Sequence, residues 1–371
     1  LNPSRIALVG PLPPPAGGMA NQTLQLAALL RGEGIEVETV QVNAPYRPAW
    51  AGRLKGARAL FRLVPYLWRL WSAAGRVELF HIMANSGWSW HLFAAPAIVV
   101  ARLRGCAVVV NYRGGEAQGF LRRSGFVIGL TLRRAHALIV PSAYLEAVFG
   151  EAGFAPVVVP NIIDLARFRR DGAAGPFNQD GPRLLVARNL EPIYDNATAL
   201  RCFAQVQAVH PRARLTIAGS GPLLAQLEEL ARELGLKAVT FTGRVDNAGM
   251  AELYRQADIM LNPSLVDNTP NSVIEALASG VAVVSTNVGG VPYLVEDGRT
   301  ALLVAPASPH EMADAVLRLV ADPALAASLR EAGLRQVQQF CWPSVRPALQ
   351  QVYRSALEQA GSLAPLSRRG P

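Results

Sequence analysis

The sequence predicts an α/β protein built from two doubly wound domains with parallel sheets. Three observations predict it. Short β-branched runs alternate with amphipathic helical stretches in both halves, as in parallel sheets with crossover helices. The chain has 371 residues and is 51% hydrophobic, more than one core usually organises. Glycine-bearing loops follow predicted strands, where doubly wound sheets take their ligands.

In the first half, Arg5–Val9 reads as a strand, followed by a Gly/Pro loop ending in Gly17-Gly18 and a helix from about Met19 to Arg31. Val37–Val42, Leu79–Met83, Ala107–Asn111, Ala137–Val140 and Val157–Pro160 read as further strands. Residues 168–182 are rich in Gly, Asp, Arg and Pro and read as a linker between domains 1–167 and 183–341. The second alternation runs through Arg183–Ala187, Arg214–Ala218, Val239–Thr242, Ile259–Asn262, Val281–Ser285 and Ala301–Val304. Helices fall between, for example Pro222–Leu234 and His310–Val320. The two domains are expected to face a cleft, with ligands at the carboxyl ends of the strands.

Composition excludes several classes. No run of about 18 apolar residues marks a transmembrane helix. The N-terminus carries no secretory pattern. Cys106, Cys202 and Cys341 are far apart and odd in number, which argues against a disulfide framework or a zinc site. A cytoplasmic setting is expected. No Asp-x-Asp pair or His/Cys cluster suggests a metal, and His81, His91, His136, His210 and His310 show no ligand spacing. Gly219-Ser-Gly221 opens like a dinucleotide fingerprint, but Leu224 holds the place of the third glycine, so a dehydrogenase is not expected.

The segment Asp267 to Gly280 concentrates the chemistry. Thr269 reads as an N-cap, Pro270 as the first helical residue and Gly280 as the stop. The helix N-terminus follows the strand Ile259–Asn262, so its amides and dipole favour a phosphate or a sugar oxygen. Glu275 lies under two turns inside, and helical side chains lean back toward the N-terminus. A carboxylate there can accept two hydrogen bonds from a vicinal diol. An exposed helical Glu and a loop Asp remain the plainer reading of these two residues alone.

Taken together, Pro263-Ser264, Asn271–Gly280, Val284–Pro292, Val295–Gly298, Val159–Asp164 with Phe168, Ala218–Pro222, Thr242–Val245 and Tyr254–Asp258 resemble the family 4 glycosyltransferases of GT-B fold. The family signature is two glutamates separated by seven residues; here the second is Glu275 and the first position holds Asp267. The resemblance implies that Glu275 binds a nucleotide ribose and Asp267 faces the donor sugar. It assigns Asn268, Thr269, Pro270, Asn271 and Ser272 to sugar hydroxyls or phosphate, and places Val245 in the donor pocket. Arg188 matches the arginine of the diphosphate clamp. The lysine that usually follows is absent from Pro192–Asn196. Gly17 and Gly18 resemble the loop whose backbone approaches the donor diphosphate. Arg113 stands where the family often has a His; it cannot act as a base at neutral pH but can stabilise phosphate charge.

The implied chemistry is metal-independent transfer with retention at the anomeric carbon, the donor diphosphate taking the acceptor proton. No cofactor is expected. The donor is a nucleotide-sugar, a UDP-sugar favoured over a GDP-sugar by family frequency, and the acceptor is a glycan or lipid-linked acceptor. A sugar-nucleotide epimerase and a non-catalytic sugar-nucleotide-binding protein are the alternatives.

The net charge of +9 concentrates in the first half. Residues 53–71 mix Arg and Lys with Trp, Phe and Leu, and Arg122-Arg123 and Arg133-Arg134 form a second patch. Such a surface suits an anionic membrane, so peripheral attachment to the inner face of the plasma membrane is one reading; helices packing on their own sheet are the other. Nucleic acid is not expected, because no recognised binding motif appears. Trp88 and Trp90 follow a predicted strand, where they line an acceptor side or enter the core. A last helix from Cys341 to about Gln359 is expected to return to the first domain over 343–360, leaving a frayed tail.

Overall fold

The computed structural model describes residues 3–14, 17–46, 58–169, 177 and 181–363. The chain divides into two units, Leu1–Ile162 with Val345–Pro371, and Ile163–Ser344. Each holds a six-stranded sheet whose described pairings are all parallel.

In the first unit the strands are β1 (Arg5–Gly10), β2 (Glu36–Gln41), β3 (Leu79–Ala84), β4 (Ala107–Tyr112), β5 (Ala137–Val140) and β6 (Val157–Val158), in the order β2-β1-β3-β4-β5-β6. β3 and β4 are buried along their whole length, as apolar strands covered on both faces must be. The order reverses between β1 and β3, which puts a switch point beside the Gly17-Gly18 loop.

In the second unit β7 (Arg183–Ala187), β8 (Arg214–Ala218), β9 (Val239–Gly243), β10 (Ile259–Asn262), β11 (Ala282–Thr286) and β12 (Leu302–Val304) take the order β12-β11-β10-β7-β8-β9. Here the reversal falls between β7 and β10. Two apolar clusters cover the two faces of the sheet, one around Phe203 and Leu215, the other around Tyr254 and Ile274.

Predicted and observed strands agree to within one or two residues at most ends. Two expectations change. The division falls between Ile162 and Ile163 rather than in 168–182, because Ile163 and Phe168 already pack in the second unit's cluster with Tyr254. Residues 170–176 and 178–180 of the expected linker lie outside the described residues. The helix after β10 spans Asn271–Ala278 with extended Pro270, not Thr269, at its N-cap. Gly280, at φ +63, ends it in the left-handed region that glycine tolerates. Trp90 is fully buried and donates its Nε1–H to Thr131 Oγ1 at 3.2 Å, while Trp88 is exposed.

The last helix spans Trp342–Leu363, and its residues from Val345 belong to the first unit. Leu349, Tyr353 and Ala356 are buried there. Tyr353 Oη meets His81 Nδ1 at 2.8 Å. Residues 53–57 of the basic aromatic segment lie outside the described residues; the remainder falls in the helix Arg58–Ala73, which buries Tyr66 and Leu70 and exposes Trp68 and Trp71. Among the described residues no helix is long and apolar enough to cross a membrane.

Candidate active site

The switch point of the second sheet collects the predicted acid and the predicted clamp. Arg188 directly follows β7, and its N–H donates to Ala218 O at the end of β8 (3.1 Å). Asn262 is the last residue of the neighbouring β10. Arg188 Nε donates to Asn262 Oδ1 at 2.8 Å, and Arg188 Nη2 is ion-paired with Asp267 Oδ2. Both charged side chains are only 10% exposed. Burial pushes the Asp267 carboxyl above its ordinary range, and the Arg188 charge opposes that shift. Asn262 is fixed in turn: its Nδ2 donates to Ser285 Oγ (2.9 Å) and its Oδ1 accepts from Ser264 Oγ (2.8 Å). The Arg188 guanidinium also sits over the Tyr194 ring, 5.2 Å from its centroid. An arginine has five N–H donors. Two are used among the described residues.

Glu275 lies in the second turn of the helix Asn271–Ala278. Its Oε2 is 3.1 Å from Tyr254 Oη, which also lies 3.0 Å from Ser272 O. Burial raises the Glu275 carboxyl from its ordinary 4.5 to about 7, against smaller opposing effects of Tyr254, Arg188 and Arg167. One phenolic proton cannot serve both oxygens fully. The Tyr254 hydroxyl is shared as donor between Glu275 Oε2 and Ser272 O, and its donation to the carboxylate opposes the effect of burial. Ser272 Oγ is buried and finds no hydrogen-bond partner among the described residues. A buried hydroxyl left so costs free energy unless a ligand meets it.

Two glycine loops hold the site by close approach. Gly289, at φ +51, lies so near Asp267 that a Cβ would overlap the Asp267 carbonyl oxygen; a Cβ on Gly290 would overlap that of Asn268. Gly290 N donates to Asp267 O at 2.9 Å. On the other side Gly219 and Gly221 press against the Arg188 and Leu190 carbonyls. These glycines therefore serve loop-to-loop packing behind the site. Val245 is half-buried against the Tyr254 cluster, just before Asp246, whose side chain caps the next helix at Gly249 N (2.8 Å).

The first unit holds the remaining predicted residues. Gly17 caps the helix Gly18–Gly32 with extended backbone, and a Cβ there would meet nothing within 4 Å. Among the described residues nothing requires glycine at 17. Arg113 follows β4 and is caged by amide oxygens: Nε donates to Asn111 Oδ1 (3.1 Å), and Nη1 to Asn161 Oδ1 and, at 3.5 Å, to Gln22 Oε1. No described carboxylate pairs with it. Burial lowers its pKa to about 10, so it keeps its charge at neutral pH. Asn111 Nδ2 lies 3.0 Å from His81 Nε2, which makes that nitrogen the acceptor and leaves Nδ1–H for Tyr353. Burial, with the Arg113 charge, depresses His81 to about 3, so it is neutral.

Sequence reading missed Asn262, Ser285, Tyr254 and the Asn111–His81–Tyr353 chain as parts of these sites. The available signal was polar residues closing apolar strands, as at Asn262 and Asn111. Their use depends on which strands are neighbours, and chain order does not state that.

Two parallel six-stranded sheets, each with helices on its faces, define the GT-B class of fold. Residues 16–167 match the family described as Glycosyltransferase Family 4, and residues 181–322 match Glycosyl transferases group 1. Glycogen synthase of Mycobacterium tuberculosis is 31% identical over 71% of this chain and 67% of its own length. A GDP-mannose-dependent alpha-(1-6)-phosphatidylinositol monomannoside mannosyltransferase of the same organism is 28% identical over 93% of this chain and 97% of its own. The fold is similar to that of Anabaena Alr3699/HepE in complex with UDP-glucose, with a TM-score of 0.70 and 18% identity, covering 96% of this chain and 100% of that one. The chain belongs to the family 4 glycosyltransferases and is an enzyme that transfers sugars.

Proposed function

We propose that the enzyme moves a sugar from a nucleotide-sugar donor to a glycan or lipid-linked acceptor at the cytoplasmic face of a membrane, without a metal and with retention at the anomeric carbon. Glu275 carries the reading. A buried carboxyl whose described partner is one tyrosine, beside the unpartnered Ser272 hydroxyl, has acceptor capacity for two hydroxyl donors. A ribose diol supplies them. The helix N-terminus at Pro270–Ser272, with Asn268 and Thr269, favours oxygen ligands of the sugar or phosphate.

Asp267 is bound to Arg188, which makes it a poor base and a good orienting group for a sugar hydroxyl. This supports retaining chemistry in which the donor's own diphosphate takes the acceptor proton. The remaining Arg188 donors offer a phosphate contact that develops in the transition state. Gly17, Gly18 and Arg113 are assigned to the same phosphates by family resemblance. The base is proposed as uridine, with guanosine the alternative that the mannosyltransferase's name supports.

Titration calorimetry with UDP and GDP, followed by transfer assays with a panel of UDP- and GDP-sugars, tests the reading. Binding of one nucleotide, lost in Glu275→Gln, is expected. Binding of neither, or equal binding by the variant, sinks the assignment. Donor binding without turnover on any acceptor favours the non-catalytic reading that the absent lysine motivates. The anomeric configuration of the product, read by NMR, tests retention.

A further inference from the structure

Residues 58–134 hold eleven arginines and only two acids, Glu78 and Glu116. That excess of nine equals the formal charge of the entire chain, +9, so the rest of the molecule is neutral in sum. The fold collects much of this excess on one layer of the first unit. Helices Arg58–Ala73, Ala95–Leu103 and Ala117–Leu132 pack side by side against the sheet. Each turns a stripe inward: Tyr66 with Leu70, Ala97 with Ile98, Phe120 with Ile128. None of the three contains Asp, Glu or Lys.

Away from those stripes, large apolar side chains stand in water. Val64, Trp68 and Trp71 recur at the i, i+4, i+7 spacing of one helix face and are half or more exposed. Leu103 is 72% and Phe126 81% exposed, with Val127 and Leu130 beside Phe126 on the same helix. Arginines interleave with them. The Arg104 guanidinium covers the Trp71 ring at 4.8 Å from its centroid, and Arg122 and Arg123 precede Phe126 by one turn. Glu116 is spent on Arg123, 3.6 Å away. Single exposed apolar residues need no explanation, but this many on adjacent helices, with no acid among them, mark a partner surface.

We propose that this three-helix face docks the enzyme on an anionic lipid surface. The arginines lie at headgroup level, and Trp68, Trp71, Leu103 and Phe126 enter the acyl boundary. Charge complementarity selects this occupant. A second copy of the chain would oppose the same cationic face to itself. Side chains projecting singly from three helices fit fluid hydrocarbon, which needs no matching pockets. The inference deepens the functional reading above by naming where the enzyme meets a membrane that presents its acceptor. Vesicle binding requires no sugar transfer, so either can fail without the other.

The full chain is sedimented with phosphatidylcholine vesicles and with vesicles containing about one third phosphatidylglycerol. Binding at least about tenfold tighter to the anionic vesicles, and weaker as salt rises, is expected. Arg122→Glu with Arg123→Glu should weaken it about tenfold or more. Leu103→Ser with Phe126→Ser should also weaken it, with the unfolding midpoint and the donor hydrolysis rate unchanged. Brominated acyl chains should quench tryptophan fluorescence, and Trp68→Leu with Trp71→Leu should remove most of that quenching. Equal binding to both vesicles, no binding to either, or binding without quenching overturns the proposal. So does capture of single-stranded DNA or self-association while anionic vesicles are ignored.

Discussion

Glu275 is withdrawn from water, with Tyr254 beside it. A diol needs the ionised carboxylate, and burial holds the group at about 7. Donor affinity should therefore fall about tenfold per pH unit below 7 and level off above it. Calorimetric titration from pH 5.5 to 8.5 reads this, and Glu275→Gln should flatten the profile as well as lower affinity. A wild-type profile as flat as the variant's contradicts the assignment. Arg188 and Asp267 make a different residue-scale case. Each is mostly buried, so removing one strands the other's charge. Arg188→Met or Asp267→Leu alone should destabilise by about 3–5 kcal/mol, and the double variant by clearly less. Urea unfolding of the three variants checks the order; additive losses would mean the pair is not coupled.

At the scale of elements, β7 and β10 meet where the sheet order reverses, and this brings Arg188 beside Asp267. The strands themselves were legible in sequence, because β-branched runs between glycine turns announce them. Their spatial order was not, because parallel crossovers leave no local mark on either strand. Asp267 and Glu275 were legible through the helix Asn271–Ala278 and the loop that precedes it, whereas Asn262 acquires its role only from a neighbour distant in sequence. The glycines of 289–290 were legible as a loop near the site, but their reason is the loop packed behind them. Gly290→Ala should drive that loop off the Asn268 carbonyl. Expected are a lower unfolding midpoint and donor affinity reduced at least about tenfold, since loop displacement moves Asp267 and Asn268, which are proposed to meet the sugar. An unchanged affinity would show that the two loops do not hold each other. In the first unit, Tyr353→Phe removes the partner of His81 Nδ1. A cost of about 1–3 kcal/mol is expected by urea unfolding; a neutral change would mean the contact contributes nothing.

Across the whole molecule the two units carry buried groups with opposite proton preferences. His81 binds its proton more weakly folded than unfolded, with a folded value of about 3 against an ordinary 6.5. The stability it contributes is complete above 6.5 and is lost as pH falls below it. Glu275 binds its proton more tightly folded, at about 7 against 4.5. Its contribution is present below 4.5 and is lost as pH rises to about 7. Lowering the pH from 7 to 5 without nucleotide should therefore weaken the first unit and strengthen the second, each by at most about 1.4 kcal/mol per pH unit. Scanning calorimetry at the two pH values, with His81→Gln and Glu275→Gln assigning the transitions, reads the divergence. Transitions that move together in both variants would refute it.

The helix Trp342–Leu363 gives the chain an unusual order of assembly. Chains commonly finish their N-terminal unit first as they leave the ribosome. Here residues 163–344 are all synthesised before Tyr353 is added, while His81 waits 272 positions for its partner. The earlier-synthesised unit is thus the later one to close. A chain truncated after Ser344 lacks Leu349, Tyr353 and Ala356, and should fold its second unit while leaving the first one open.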